Sequence, residues 1–322
     1  MRRREFIGVL AGTAALPVTA RSQQAQKPRR IAFVHSGIPA DKLTENAGPF
    51  WVRRFYEVLR ELGYSEGVNL VVERFSAEGR SDHFAVFAAE VVARNPDLIV
   101  SNLNDLVKAL MTATRTIPIV AITSDPVANG LISVIARPGG NMTGVSIQAG
   151  PGIPSKRLQL LQEALPAATR IAYLTQERQE EYASGASVEV KMLLNVTDAS
   201  LRRAFGEMTD QKTDAAIVSV AGSYLAHRAL IVELAATHRL PMMYPYRDFV
   251  ELGGLMSYAP DLGELAKRMA IDVHQIFSGA NPGDIPYFLP TKFDLVINLK
   301  TARSLGLAFP ATLFDFATEV IE

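Results

Sequence analysis

Short stretches of this chain occur twice, and the duplication restricts the fold more than any single residue. Arg30-Ile31-Ala32-Phe33-Val34 returns as Arg170-Ile171-Ala172-Tyr173-Leu174, and Asp97-Leu98-Ile99-Val100-Ser101 returns as Asp214-Ala215-Ala216-Ile217-Val218-Ser219. Ile117-Pro118-Ile119-Val120 returns as Leu240-Pro241-Met242-Met243, and each proline is followed by an aspartate, Asp125 and Asp248. Each copy alternates short apolar runs with longer stretches of helical spacing, the pattern of a parallel α/β unit. Two such units predict two Rossmann-like lobes, each around a parallel sheet, with a cleft between them suited to a small molecule.

In the first copy the spacing predicts strands at Ile31–Val34, 69–75, 97–101, 117–122 and 142–147. A helix between the first two carries Trp51, Phe55, Val58, Leu59 and Leu62 and stops at Gly63. The second copy predicts strands at 171–174, 188–194, 215–220 and 240–244, with Asp198 as an N-cap. After it come a strand at 253–258, a helix opened by Asp261 and Glu264 and closed by Gly279, and a last strand at 293–299. These later elements match neither repeat. The chain is therefore expected to cross back between lobes through a multi-strand hinge. Residues 28–147 with about 253–285 would form the first lobe, and 148–252 with about 286–322 the second.

Residues 1–27 read as an export signal and leader: Arg2-Arg3-Arg4, an apolar stretch from Phe6 to Ala20, and small residues at Val18-Thr19-Ala20. Arg3-Arg4-x-Phe6-Ile7 resembles the bacterial twin-arginine signal, which predicts a periplasmic protein. The 322 residues suit two domains at roughly 150 residues each. With 33 basic and 33 acidic residues and no basic tract after the leader, nucleic acid is not an expected partner. Cysteine is absent, so disulfides, thiolate metal sites and a lipidated anchor cysteine are excluded. The five histidines show no metal-ligand spacing, and no cofactor is expected.

Four motifs are specific in combination: Leu62-Gly63-Tyr64-x-Glu66-Gly67-x-Asn69-Leu70, Ala136-Arg137-Pro138-Gly139-Gly140-Asn141-Met142-Thr143-Gly144, Gly253-Gly254-Leu255-Met256-Ser257-Tyr258-x-Pro260-Asp261-Leu262 and Pro290-Thr291-Lys292-Phe293-Asp294-Leu295-Val296-Ile297-Asn298. With them the chain, from about Arg29 to Glu322, resembles the substrate-binding proteins of ABC transporters of the tryptophan/tyrosine type. The resemblance implies a type I periplasmic-binding fold, no enzyme activity, an inner-membrane permease as partner, and small ligands such as aromatic amino acids. It departs at residues 176–191, where Glu177-Arg178-Gln179-Glu180-Glu181 stands in a shortened segment in place of an Asn-Pro-rich loop. A monomer is expected. A sensory protein presenting its solute to a membrane receptor is the alternative, and an enzyme using the same cleft is the weaker one.

Open parallel sheets bind ligands beyond the carboxyl ends of their strands. That rule selects Ser36, Asn102, Ser124 and Asp125 from the first copy. From the second it selects Thr175, Gly222, Ser223, Tyr244 and Tyr246, and from the crossing segment Tyr258. Hydroxyls and helix N–H groups would hold a carboxylate, Asp125 an ammonium, and the tyrosines an apolar part. Ser36 and Ser124 read equally well as helix caps, and Asp125 as a turn initiator before Pro126. Trp51 reads as core. Gly139-Gly140-Asn141 precedes a strand and reads as a turn, not a phosphate cradle. His35, at a strand's carboxyl end, is the histidine placed to reach the cleft.

Overall fold

A computed structural model describes residues 27–147, 152–176, 188–193 and 196–322. The expected export signal, Gln148 and the shortened loop at 177–187 lie outside the described residues.

The first sheet is built from β1 (Arg29–His35), β2 (Leu70–Ser76), β3 (Leu98–Asn102), β4 (Ile119–Thr123) and β5 (Met142–Ser146), in the order β2-β1-β3-β4-β5 and parallel throughout. Helices α1 (Phe50–Glu61), α2 (Phe84–Ala93) and α3 (Asn104–Ala113) connect its strands. Successive residues of β1 point to opposite faces, Ile31 and Phe33 into one apolar cluster, Ala32 and Val34 into the other. Both faces are covered, so the strands read as continuous apolar runs. Helix α1 buries Val52, Phe55, Tyr56 and Leu59 at helical spacing. Gly144 has φ +151°, and a Cβ there would lie 1.9 Å from the carbonyl oxygen of Ala121, so only glycine lets β5 approach β4 here. The neighbouring Gly139 and Gly140 form a left-handed turn packed on Gly283, and Asn141 Nδ2 donates to the carbonyls of Thr114 and Ile117.

The second lobe comprises α4 (Gly152–Ala164), β6 (Ile171–Thr175), β7 (Val188–Met192), α5 (Asp198–Asp210), β8 (Ala215–Val218), α6 (Gly222–Ala226), α7 (Arg228–Thr237), β9 (Met242–Tyr244), α8 (Arg247–Glu251) and β10 (Met256–Pro260). Strand order β7-β6-β8-β9-β10 reproduces β2-β1-β3-β4-β5 position for position. Thr197, not Asp198, caps α5, because its hydroxyl accepts from the Ser200 amide while Ser200 reaches back.

Strand β10 corrects the expected boundary. Residues 256–260 run parallel to β9 and antiparallel to the strand at 293–298, so they are the fifth strand of the second repeat, not part of the first lobe. The chain crosses at Asp261, whose Oδ1 accepts from the amides of Gly263 and Glu264 and opens α9 (Leu262–Phe277). Helix α9 packs on α1, β4 and β5 of the first lobe. Phe288 then bridges to β5, its amide donating to Gly144. The chain returns as β11 (Phe293–Asn298), α10 (Leu299–Leu305), α11 (Ala311–Phe314) and β12 (Glu319–Ile321), which extend the second sheet beyond β10. With the earlier passage from β5 to α4, which packs on β8 and β9, three crossings join the lobes.

Candidate functional site

In each sheet the connections diverge between the first and third strands of the repeat, β1 and β3 in one lobe, β6 and β8 in the other. This divergence opens a crevice at the strands' carboxyl ends. The two crevices face one another across a cavity of about 680 Å³, within the range of small-molecule sites.

The first lobe supplies the more polar wall. His35 ends β1 and Asn102 ends β3, and both line the cavity. Asn102 is held by Ser36, whose amide donates to its Oδ1 at 2.8 Å and whose hydroxyl accepts from its Nδ2 at 3.0 Å. Asn104 donates to the carbonyl and hydroxyl of Ser124 and accepts from the Ser124 amide, and Asn129 donates to the carbonyls of Ser124 and Asp125. Asp125 Oδ1 accepts from the Ala128 amide at 3.0 Å. Two of the residues lining this wall, Leu103 (φ +69°) and Asp125 (φ +33°), are in the left-handed region that side chains avoid, so the cavity wall carries some of the chain's backbone strain. Trp51, in the first turn of α1, lines the cavity beside His35, with ring centroids 5.9 Å apart.

The second lobe supplies Arg157, Tyr173, Leu225, Tyr246 and Asp248, and α9 lays Leu262, Ala266 and Met269 along the apolar base. Arg157 is buried, its Nε donating to the Tyr258 carbonyl at 2.8 Å. Burial raises the Asp248 carboxyl above its ordinary range, Glu251 adds to this, and Arg228 opposes it. Burial pushes the Tyr246 hydroxyl up and the His35 imidazole down to about 3, so both are neutral across physiological pH. The cavity therefore offers an arginine and several carboxylates around aromatic and aliphatic surface. Among the described residues no group of three His, Cys, Asp or Glu could hold a metal ion.

Of the ten residues selected from sequence, four line the cavity: Asn102, Ser124, Asp125 and Tyr246. Ser36 sits behind Asn102. Gly222 faces Ser36 across the lobes, and Ser223 donates to Gln176 Oε1 at 2.6 Å. Thr175 is buried at the end of β6 and is not part of the lining. Tyr244 is a core residue, stacked on Phe249 at 4.9 Å, because residues 242 and 244 share the inward face of β9. Tyr258 turns its ring to Phe293 at 5.5 Å and contributes its carbonyl, which holds Arg157. Arg247 pairs with Glu251 and Glu319, not with Asp248, which leaves Asp248 at the cavity.

Arg157 and Asp248 escape the strand-end rule: one follows a crossing and the other lies in the first turn of a short helix. Trp51 mimics a core residue because it continues the apolar spacing of α1. Its position at the helix start, which points at the crevice, is the signal that distinguishes it.

The model of the ABC transporter substrate binding protein family matches residues 51–321. A tyrosine-binding protein of Clostridioides difficile (strain R20291) is 26% identical over 267 residues, covering 79% of this chain and 75% of that protein. Among solved structures, a conserved domain protein from Vibrio cholerae superposes with a TM-score of 0.79 at 24% identity, covering 91% of this chain and all of that one. An ABC domain from Streptococcus pneumoniae in complex with L-Trp superposes with a TM-score of 0.78 at 23% identity, covering 92% of this chain and all of that one. A family match over most of the chain, joined to a duplicated α/β fold around an inter-lobe cavity, places this chain among the ABC transporter substrate-binding proteins.

Proposed function

We propose that this chain is the periplasmic solute-binding component of an ABC importer and that its cleft captures an aromatic amino acid. The observation that carries the reading is one cavity, lined from both lobes, that combines the Trp51 and Tyr246 rings with the opposite charges of Asp125 and Arg157. An amino acid's ammonium suits Asp125, its carboxylate suits Arg157 or the N-terminus of α3, and its ring suits Trp51 and Tyr246. The C. difficile and S. pneumoniae relatives, named for tyrosine and bound to L-Trp, support the same ligand class. A ligand touching both lobes favours the closed arrangement, because only differential affinity shifts such an equilibrium.

The test is a thermal-shift and calorimetric panel of L-tyrosine, L-tryptophan and L-phenylalanine against L-leucine, L-arginine and ribose. A ligand at a hundred times its Kd stabilises by roughly 2.7 kcal/mol, enough to raise the melting temperature by several degrees. A panel in which no aromatic amino acid acts overturns the reading. Bound ligand should be recovered unchanged, as suits a binding protein and not an enzyme. Export as a monomer is part of the proposal. Fractionation should find a shortened, monomeric protein in the periplasm, and replacing Arg3 and Arg4 by lysine should retain it in the cytosol.

A further inference from the structure

His35 makes two hydrogen bonds through one atom. Its Nδ1 accepts from the backbone amides of Gly37 at 3.0 Å and Ile38 at 2.8 Å. Both partners are N–H donors, so Nδ1 cannot carry a proton, and the neutral ring must carry it on Nε2. The side chain is packed against Trp51 at the carboxyl end of β1, on the cavity surface. No described residue accepts from Nε2. The loop that follows β1 thus fixes the tautomer, and the fixed tautomer leaves one donor at the crevice of the first lobe.

We propose that His35 is a specificity residue, presenting Nε2–H as a permanent neutral donor to an oxygen acceptor on the part of the solute that lies against Trp51. A donor held this way differs from an ordinary histidine in two respects. It cannot switch to an acceptor without breaking both amide bonds, so it discriminates against a solute that places an N–H there. It also stays neutral, because burial holds its pKa down at about 3. It therefore accommodates a hydroxyl or a carboxylate equally, without adding charge to the cavity. The proposal takes its solute probes from the aromatic amino acid reading, but the tautomer and the donor can be tested without them.

Two substitutions separate the roles of the ring. In His35→Asn the side-chain oxygen stands where Nδ1 accepts, so the loop is kept and the Nε2 donor is lost. In His35→Gln the terminal amide stands where Nε2 donates, so the donor is kept and the loop contact is lost. Trp51 is the single tryptophan and reports L-tyrosine or L-phenylalanine binding by fluorescence. The expected result is a loss of about tenfold in affinity for His35→Asn with an unchanged melting temperature, and a loss within about threefold for His35→Gln, the range of one hydrogen bond. If the acceptor is the phenolic hydroxyl, His35→Asn weakens L-tyrosine and spares L-phenylalanine. If it is the carboxylate, both weaken and phenethylamine is unaffected. Wild-type affinity for all three probes in His35→Asn overturns the proposal. If the wild type binds no aromatic amino acid, the ligand reading falls and His35 is decided separately by nitrogen-15 NMR. The imidazole should show the Nε2–H tautomer, unchanged from pH 5 to 8, and its Nε2–H signal should move with millimolar phenol or acetate. An Nδ1–H tautomer, or a signal that neither probe moves, overturns it.

Discussion

Ser36 and Gly222 meet across the cleft: a Cβ built on Gly222 would lie 2.9 Å from Ser36 Oγ. Ser36 belongs to the loop after β1 and Gly222 to the first turn of α6, so this contact measures how closely the lobes approach. Gly222 has no left-handed backbone and would accept alanine were it not for its neighbour. Gly222→Ala is therefore expected to hold the lobes apart. Overpacking of this kind costs about 1–3 kcal/mol, which would appear as a roughly 5- to 150-fold weaker affinity for L-tyrosine and a larger radius in solution scattering with ligand present. Ser36→Ala removes the offending oxygen, leaving Ser36 Cβ 3.8 Å away, so the double variant should recover much of the loss. An additive double variant would show that the contact does not govern closure.

Asp125 and Tyr246 follow equivalent strands of the two repeats and line opposite walls of one cavity. Asp125 has φ +33°, so alanine there would add backbone strain to the loss of charge, whereas asparagine tolerates that backbone and still accepts from the Ala128 amide. Asp125→Asn is expected to weaken L-tyrosine binding about tenfold, the loss of a charge-assisted bond of roughly 1.5–3 kcal/mol, with little change in melting temperature. Tyr246→Ala should do the same through lost ring contact. Calorimetry of both variants checks this; wild-type affinities would show that the ligand does not span the lobes.

The duplication made the two sheets and their strand order legible, because buried parallel strands leave continuous apolar runs such as Ile31–Val34 and Ile171–Leu174. Strand β10 is harder to read as part of the repeat. Both β5 and β10 are entered through a Gly-Gly-x-Met run, Gly139-Gly140-Asn141-Met142 and Gly253-Gly254-Leu255-Met256, so the sequence carries the match, and it is the helix α8 before the second run that obscures it. At the site, strand ends located Asn102, Ser124 and Asp125, whose backbone positions fix where their side chains go. The tyrosines show the limit of that rule. Tyr244 and Tyr246 are two residues apart, yet one is packed on Phe249 and the other lines the cavity, because the strand ends at Tyr244 and the alternation stops with it. Arg157 was invisible because a buried arginine in an amphipathic helix looks like a solvated one until the carbonyl that holds it, that of Tyr258, is known.

The same pair yields a contrast in stability. The ring of Tyr244 fills the space that a side chain on Gly254 would take, with Cε2 2.6 Å from a Cβ built there. Tyr244→Ala should destabilise by about 3–5 kcal/mol, the range for a buried aromatic, and lower the denaturation midpoint accordingly. Tyr244→Phe should leave L-tyrosine affinity unchanged. A large affinity loss in Tyr244→Phe would return this residue to the binding site.

Asp272 on α9 is fully buried beside Arg268, whose Nε lies 3.0 Å from Oδ1 and whose guanidinium also covers the Phe288 ring. Burial pushes its carboxyl up from 3.8 to about 7, with Arg268 opposing; Tyr287, whose hydroxyl meets Thr123 at 2.6 Å, also senses the Asp272 charge and stays neutral. The sign follows from proton counts. Between pH 4 and 7 the folded protein keeps a proton that the unfolded chain has released, so stability falls as pH rises through this window and levels off above it. Each unit of displacement is worth about 1.4 kcal/mol, so Asp272 alone should remove about 3 kcal/mol between pH 5 and 8. Asp272→Asn cannot titrate and keeps the shape of the side chain. Its melting temperature relative to wild type should therefore rise by several degrees over that interval. Scanning calorimetry of both proteins at pH 5, 6, 7 and 8 decides the matter: a constant difference would mean that Asp272 is already ionised at pH 5, held by Arg268.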